Sequence, residues 1–159
     1  MKLHRMATMT GVMHHGMTLR DFFEEAVRCN VPGLPFADAQ NRITGRISIR
    51  EIYKCIAVPD SFLTVADAMG DLTNNLDLPE MKVRETMASL VDEYVLENIP
   101  SVSPRSSAVK ALSIMELHNT SYIFLIEDGK YEGVVTRMVI ARRMLECFRE
   151  MEQGKSAPS

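Results

Sequence analysis

Two hydrophobic periods alternate along this chain, and the alternation occurs twice. From Thr18, the apolar residues Leu19, Phe22, Phe23, Ala26 and Val27 follow one helical face, and Thr18 with Asp21 forms an N-terminal capping box. GLPFAD (33–38) reads as a short strand entered through Pro-Gly, QNR as a turn, and ITGRIS as the partner strand of a hairpin. A second helix starts at Ser48. Further on, SSAVKALSIMEL sets Ala108, Val109, Ala111, Leu112 and Met115 on a helical stripe, and SYIFLIEDGKYEGVVT gives strand, Asp-Gly turn, strand. A last helix follows through Ile140, Met144, Leu145 and Phe148. The order helix, strand, strand, helix therefore appears in both halves.

The two units superpose in sequence. Gly133 lies 133 − 45 = 88 residues after Gly45, and the same offset carries Ser48 onto Thr136, Ile52 onto Ile140 and Lys54 onto Arg142. Asp38 and Glu127 differ by 127 − 38 = 89, which places the one-residue difference in the hairpin loop. Glu51 falls on Val139, so a carboxylate is kept in one copy only. A duplication this regular implies two similar halves that bury their sheets against one another, because a sheet of two or three strands with helices on one face is not stable alone. The expected organisation is a first repeat over 12–58, a helical connection over 59–97, a second repeat over 98–150 and a flexible tail over 151–159, with the first ten residues loosely held. In the connection, Pro79 opens a helix whose stripe is Val83, Met87, Leu90, Val91, Tyr94 and Val95.

Charge and composition narrow the function. A net charge of −3 with 25% charged residues gives no basic face for nucleic acid or an anionic membrane. No apolar run approaches the roughly 20 residues of a membrane-spanning helix, and the start of the sequence lacks a secretory-type stretch, so a cytoplasmic protein is expected. Cys29, Cys55 and Cys147 are odd in number and widely spaced, which suits reduced packing thiols. His14 and His15 are adjacent and have no partners at metal-ligand spacing, and His118 reads as a helix-end residue. Of the twelve methionines, Met69, Met87, Met115 and Met144 fall on helical stripes and are expected in the core. No Ser-His-Asp order, Cys-His pair, Walker loop or paired-carboxylate motif is present, so catalysis is not expected.

Chemistry is concentrated where a strand hands over to a helix. Ser48 and Thr136 both sit there, where the first helical N–H groups are unpaired and the dipole favours an anion. The plainer reading makes each an N-cap, and in SIRE the pair Ser48 and Glu51 forms a capping box on its own. Thr136 has no acid three positions on, but Arg137 follows at once and can bond a phosphate.

GLPFADAQNRITGRISIREIYKCI and SYIFLIEDGKYEGVVTRMVIARRML resemble the two repeats of a tandem cystathionine-β-synthase (CBS) domain pair, or Bateman module. IPSVSPRSSAVKAL resembles the lead-in to its second domain. The resemblance covers residues 12–58 and 98–150, and its specificity lies in the whole strand, turn, strand, Gly-x-x-Ser/Thr, helix unit occurring twice. It implies an α+β fold of two helix-strand-strand-helix repeats packed sheet to sheet with pseudo-two-fold symmetry. It also implies a non-catalytic regulatory module, requiring no cofactor, whose cleft binds AMP, ADP or ATP and signals to a regulated protein or through a homodimer.

Carried over residue by residue, the resemblance puts Ser48 and Thr136 at phosphate positions and Glu51 and Val139 at ribose positions. The base would lie beside Leu34, Pro35 and Phe36, with Ile123 and Phe124 as the second half's counterparts. Neither half keeps the family's Asp. Glu51 can still accept bonds from two ribose hydroxyls and Val139 cannot, so the ribose is expected at Ser48 and Glu51, and a phosphate or small anion at Thr136 and Arg137. The missing Asp equally suits a degenerate pair without ligand, acting as a dimerisation or docking scaffold. Ile52, Tyr53, Ile56, Ile140, Met144 and Leu145 are the expected dimer contacts.

Overall fold

Both predicted hairpins form, and each is the larger part of a three-stranded sheet. The computed structural model describes residues 1–58, 60–69 and 77–154. The first half contains β1 (Met13–His14), α1 (Leu19–Cys29), β2 (Gly33–Ala37), β3 (Ile43–Ser48) and α2 (Ile49–Ile56). The connection contributes α3 (Asp60–Leu63) and α4 (Glu80–Ala88). The second half contains β4 (Ser101–Val102), α5 (Ala108–Leu117), β5 (Tyr122–Glu127), β6 (Lys130–Thr136) and α6 (Arg137–Glu152). The strand orders are β1-β2-β3 and β4-β5-β6, with the short first strand parallel and the hairpin antiparallel in each.

The repeat extends to register. Gly33 opposes Ser48 as Tyr122 opposes Thr136, and each hairpin shifts register at the matching place, between Phe36 and Ala37 and between Leu125 and Ile126. The sheets pack on each other through a core that joins both halves: Phe22, Leu34, Ile47 and Val91 meet Tyr122, Phe124 and Val134. On β5 the alternate residues Ile123 and Leu125 face the other way, into a second cluster with Ala111, Met115, Val135 and Ile140. This is an α+β architecture of two packed sheets with pseudo-two-fold symmetry.

The halves also exchange lead-in segments. Leu96 forms an antiparallel bridge with Arg46 on β3, while Thr8 forms one with Val134 on β6. These are equivalent contacts, since 96 − 8 = 88 and 134 − 46 = 88, and each ties one half to the segment preceding the other. The first ten residues are therefore held, contrary to expectation: Thr8 makes two backbone bonds to Val134 of 2.8 and 2.9 Å, and Leu3 is fully buried in the second cluster. Of the predicted tail, residues 155–159 lie outside those described, and 151–152 continue α6.

Several periodic stripes are covered less widely than their patterns suggest. The capping box of α1 is present, with Leu19, Phe22 and Ala26 buried, but Val27 is exposed. On α5 only Ala111 and Met115 are buried, and Val109 and Leu112 face solvent. On α6, Ile140 is buried while Met144, Leu145 and Phe148 are exposed, so Met144 is not a core methionine; Met69 and Met87 are partly buried. Cys55 is exposed rather than packed, and Cys29 and Cys147 are partly buried. The helix expected to run through Val95 stops at Ala88. There Ser89 accepts from the Leu19 N–H and the Val91 N–H donates to Met17, so backbone bonds to the start of α1 replace further helical ones. That exchange turns Val91 into the core, beyond reach of a continuous helical stripe.

Candidate functional site

The junction of β3 and α2 meets the α5–β5 loop across the pseudo-two-fold, and between them lies a cleft of about 390 Å³. Its first-half wall comprises Arg46, Ser48, Arg50 and Glu51, and its second-half wall runs from His118 to Tyr122 with Arg137; Leu96 of the exchanged lead-in and Pro32 complete it. The loop reaches the cleft because α5 ends in Asn119, whose left-handed backbone (φ 49°) reverses the chain into β5. Asn30 (φ 54°) does the same at the matching end of α1. The first helical N–H of each junction is already engaged: Ile49 donates to the Pro32 carbonyl at 3.0 Å and Arg137 to that of Ser121 at 3.1 Å.

The two hydroxyls differ, and in the opposite sense to the capping expectation. Thr136 caps α6, its Oγ1 accepting from the Val139 N–H at 3.1 Å. Ser48 makes no capping bond, and no Ser48–Glu51 capping box forms; Glu51 instead accepts a weak bond from the Cys55 thiol at 3.8 Å. Burial and then the Glu51 charge push that thiol's pKa up, keeping it a donor. Ser48→Ala, which removes no capping bond, is accordingly expected to cost less stability than Thr136→Ala, which costs about 1 kcal/mol. Urea denaturation of the two variants checks this, and equal losses would show that Ser48 caps its helix in solution.

Of the predicted site residues, Ser48, Glu51 and Arg137 line the one cleft, so positions assigned to separate halves come together. Thr136 is buried behind it with its hydroxyl engaged. Leu34, Ile123 and Phe124 are fully buried, Pro35 is buried, and Phe36 packs against the core, and none of the five lines this cleft. The reason lies in the two faces of each sheet: Leu34, Phe36 and Phe124 face the core between the halves, and Ile123 faces the second cluster. Among the described residues, no group of three or more His, Cys, Asp or Glu could hold a metal ion, and no helix is long and apolar enough to cross a membrane.

Sequence reasoning missed Arg46, and a signal for it existed. It stands in the middle of ITGRIS, between Gly45 and Ile47, at the position where the other repeat carries Val134; a charge in a strand of buried neighbours calls for a partner. Its guanidinium donates from Nε to the Asn98 carbonyl at 3.0 Å, from Nη1 to the Tyr122 hydroxyl at 2.5 Å and from Nη2 to Asn98 Oδ1 at 3.4 Å. Two further cations border the cleft: Arg50 reaches the Asn119 carbonyl at 3.4 Å and Arg137 pairs with Glu116 at 2.9 Å. Glu51 is the single carboxylate among the lining residues.

The CBS domain family matches residues 91–146. No curated protein sequence matches the chain. Among solved structures, it is similar over 92% of its length to 94% of a CBS domain-containing protein of unknown function from Bacillus anthracis, at 19% identity and a TM-score of 0.62. Similarity extends over 92% of the chain and 97% of the CBS domain pair of protein MJ0100, solved in complex with 5′-methylthioadenosine and S-adenosyl-L-methionine, at 15% identity and a TM-score of 0.64. A third similar structure is the CBS domain of a membrane protein from Sphaerobacter thermophilus, at 15% identity and a TM-score of 0.61, over 89% of this chain and 86% of that one.

Proposed function

Because the chain folds as a tandem CBS pair, a Bateman module, we propose that it is a regulatory module whose cleft takes an adenosine-containing nucleotide of the AMP, ADP or ATP type. The observation that carries this reading is the meeting of the Ser48 hydroxyl and Glu51 carboxylate with Arg137 in one cleft of about 390 Å³. Glu51 accepts the two ribose hydroxyls, and the uncapped Ser48 hydroxyl is available to donate to a phosphate. Adenosine-type ligands on the similar MJ0100 pair support the assignment of the nucleoside. Binding joins α2 of the first half to the α5–β5 loop of the second, so occupancy alters how firmly the halves are held and is passed on to a regulated protein or a second copy.

A thermal-shift panel with AMP, ADP and ATP tests the reading, since a ligand at 100 times its Kd adds about 2.7 kcal/mol to stability. Glu51→Ala is expected to weaken the best ligand at least about tenfold, because hydrogen bonds to a charged group contribute roughly 1.5–3 kcal/mol. Glu51 makes no capping bond, so the accompanying helix penalty is confined to its first-turn charge, about 0.3–1 kcal/mol, below the loss expected in binding. Flat curves for all three nucleotides at millimolar concentration would leave the scaffold reading standing instead.

For the second copy, the surface proposed is the exposed apolar set Tyr53, Met144 and Leu145, with Ile56 at its margin. Ile52 and Ile140 do not belong to it, because both are buried within the chain itself. Light scattering is expected to give twice 17.9 kDa, and a monomer across micromolar concentrations would remove that surface from consideration.

A further inference from the structure

We infer that Arg46 sets the charge of the ligand, so that the cleft selects phosphorylated adenosine compounds carrying two or more negative charges over neutral or cationic ones. This rests on the reading of the cleft as an adenosine-nucleotide site and adds the residue that discriminates among adenosine compounds. Arg46 is 7% exposed and borders the cleft. Its three hydrogen bonds all go to neutral oxygens, and among the described residues it enters no ion pair. A guanidinium has five N–H donors, so two remain for an acceptor that the protein does not supply. Beyond these bonds its guanidinium carbon lies 5.5 Å from the centre of the Tyr122 ring, a cation–π contact that offsets part of the desolvation, yet a charge held this far from water remains costly without a counter-charge.

The fold does not require that charge. The equivalent position of the second repeat is Val134, fully buried, on the matching strand and bridged by the matching lead-in segment. A valine therefore satisfies the same architecture without any desolvated cation, and what distinguishes the first-half position is that its side chain borders the cleft. The charges around it have the same sense: Arg137 is matched by Glu116, which leaves Arg46 and Arg50 against the carboxylate of Glu51. A phosphomonoester carries about −1.5 to −2 at neutral pH and has three acceptor oxygens, which matches both the surplus of positive charge and the free donors. Methylthioadenosine is neutral and would bring Arg46 no counter-charge. S-adenosylmethionine would bring a sulfonium cation into an already cationic cleft.

Calorimetry on the whole chain tests this with inorganic pyrophosphate, adenosine, AMP and S-adenosylmethionine, using the parent, Arg46→Gln and Arg46→Lys. The parent is expected to bind pyrophosphate and to prefer AMP over adenosine and S-adenosylmethionine at least tenfold. Arg46→Gln should lose that preference while keeping its affinity for adenosine, and Arg46→Lys should keep part of it. If the glutamine variant does not fold, as judged by circular dichroism, Arg46→Val, which places there the residue of the other repeat, decides: an AMP preference unchanged from the parent overturns the role of Arg46.

Equal losses for AMP and adenosine in Arg46→Gln would also overturn it, because they would mark a purely structural role. Parent binding of adenosine as tightly as AMP, with no pyrophosphate bound, overturns the charge assignment and leaves the adenosine site intact. Pyrophosphate binding that depends on Arg46, with no adenosine compound bound, supports the anion site and overturns the nucleoside reading. Failure of every probe to bind overturns both.

Discussion

Phe124→Ala is expected to destabilise the protein by about 3–5 kcal/mol, lowering the melting temperature by roughly 6–20 °C for a chain of this size. Phe124 is fully buried at the centre of the core that joins the halves, edge-on to Tyr122 at 5.5 Å and to Tyr131 at 6.0 Å between ring centroids. Removing the ring takes away both aromatic contacts and opens a void. Its strand is fixed on both sides, by β4 and by β6, so the surroundings have little freedom to collapse into it. Thermal and denaturant unfolding monitored by circular dichroism measure the loss. A change below about 1 kcal/mol, accompanied by loss of nucleotide binding, would move Phe124 from the core to the ligand wall where the sequence resemblance had put it.

Gly133→Ala should cost about 2–4 kcal/mol through two separable effects. The residue's φ is +129°, a conformation that side chains rarely adopt, and a Cβ there would lie 2.9 Å from the Thr8 carbonyl oxygen. Backbone strain is the first contribution. The second is displacement of the Thr8 strand, whose two bonds to Val134 hold the lead-in segment on β6. At the equivalent Gly45, a Cβ would meet a Val95 methyl at 2.6 Å and the Leu96 carbonyl oxygen at 2.8 Å, so the same close approach recurs at the other exchanged segment. Hydrogen exchange distinguishes the contributions. The Thr8 and Val134 amides should lose protection in Gly133→Ala while the Arg46 and Leu96 amides keep theirs. Full protection at Thr8, with stability within about 0.5 kcal/mol of the parent, would show that the strand does not need a glycine to approach.

The repeated glycines show how far a sequence pattern reaches. Their spacing of 133 − 45 = 88 locates a duplication, yet nothing near either glycine states what must approach it. In space the answer is a segment from the other half's lead-in, 96 − 45 = 51 residues away for Gly45 and 133 − 8 = 125 for Gly133. Ser48 illustrates the same limit at a smaller scale. SIRE contains every residue of a capping box, but the Ser48 hydroxyl makes no such bond, while the less suggestive Thr136 does cap its helix. Capping depends on side-chain rotamers and on what the neighbouring wall offers, and here that wall is the cleft.

Periodicity and turn chemistry act over a few residues, and they suffice for the helix, strand, strand, helix order in both halves, the one-residue difference between the hairpin loops, the capping box of α1 and the twofold repetition. Longer-range contacts fix what remains. The two-residue strands β1 and β4 are too short to leave a period of their own and exist only by pairing with β2 and β5. Packing of the two sheets face to face buries Leu34 and Phe124, and the cleft that Arg46 borders opens instead between the β3–α2 junction and the α5–β5 loop. Helical stripes likewise announce α5 and α6 but not how much of each is covered; that depends on the area of sheet each helix meets, and Val109 and Met144 lie beyond it.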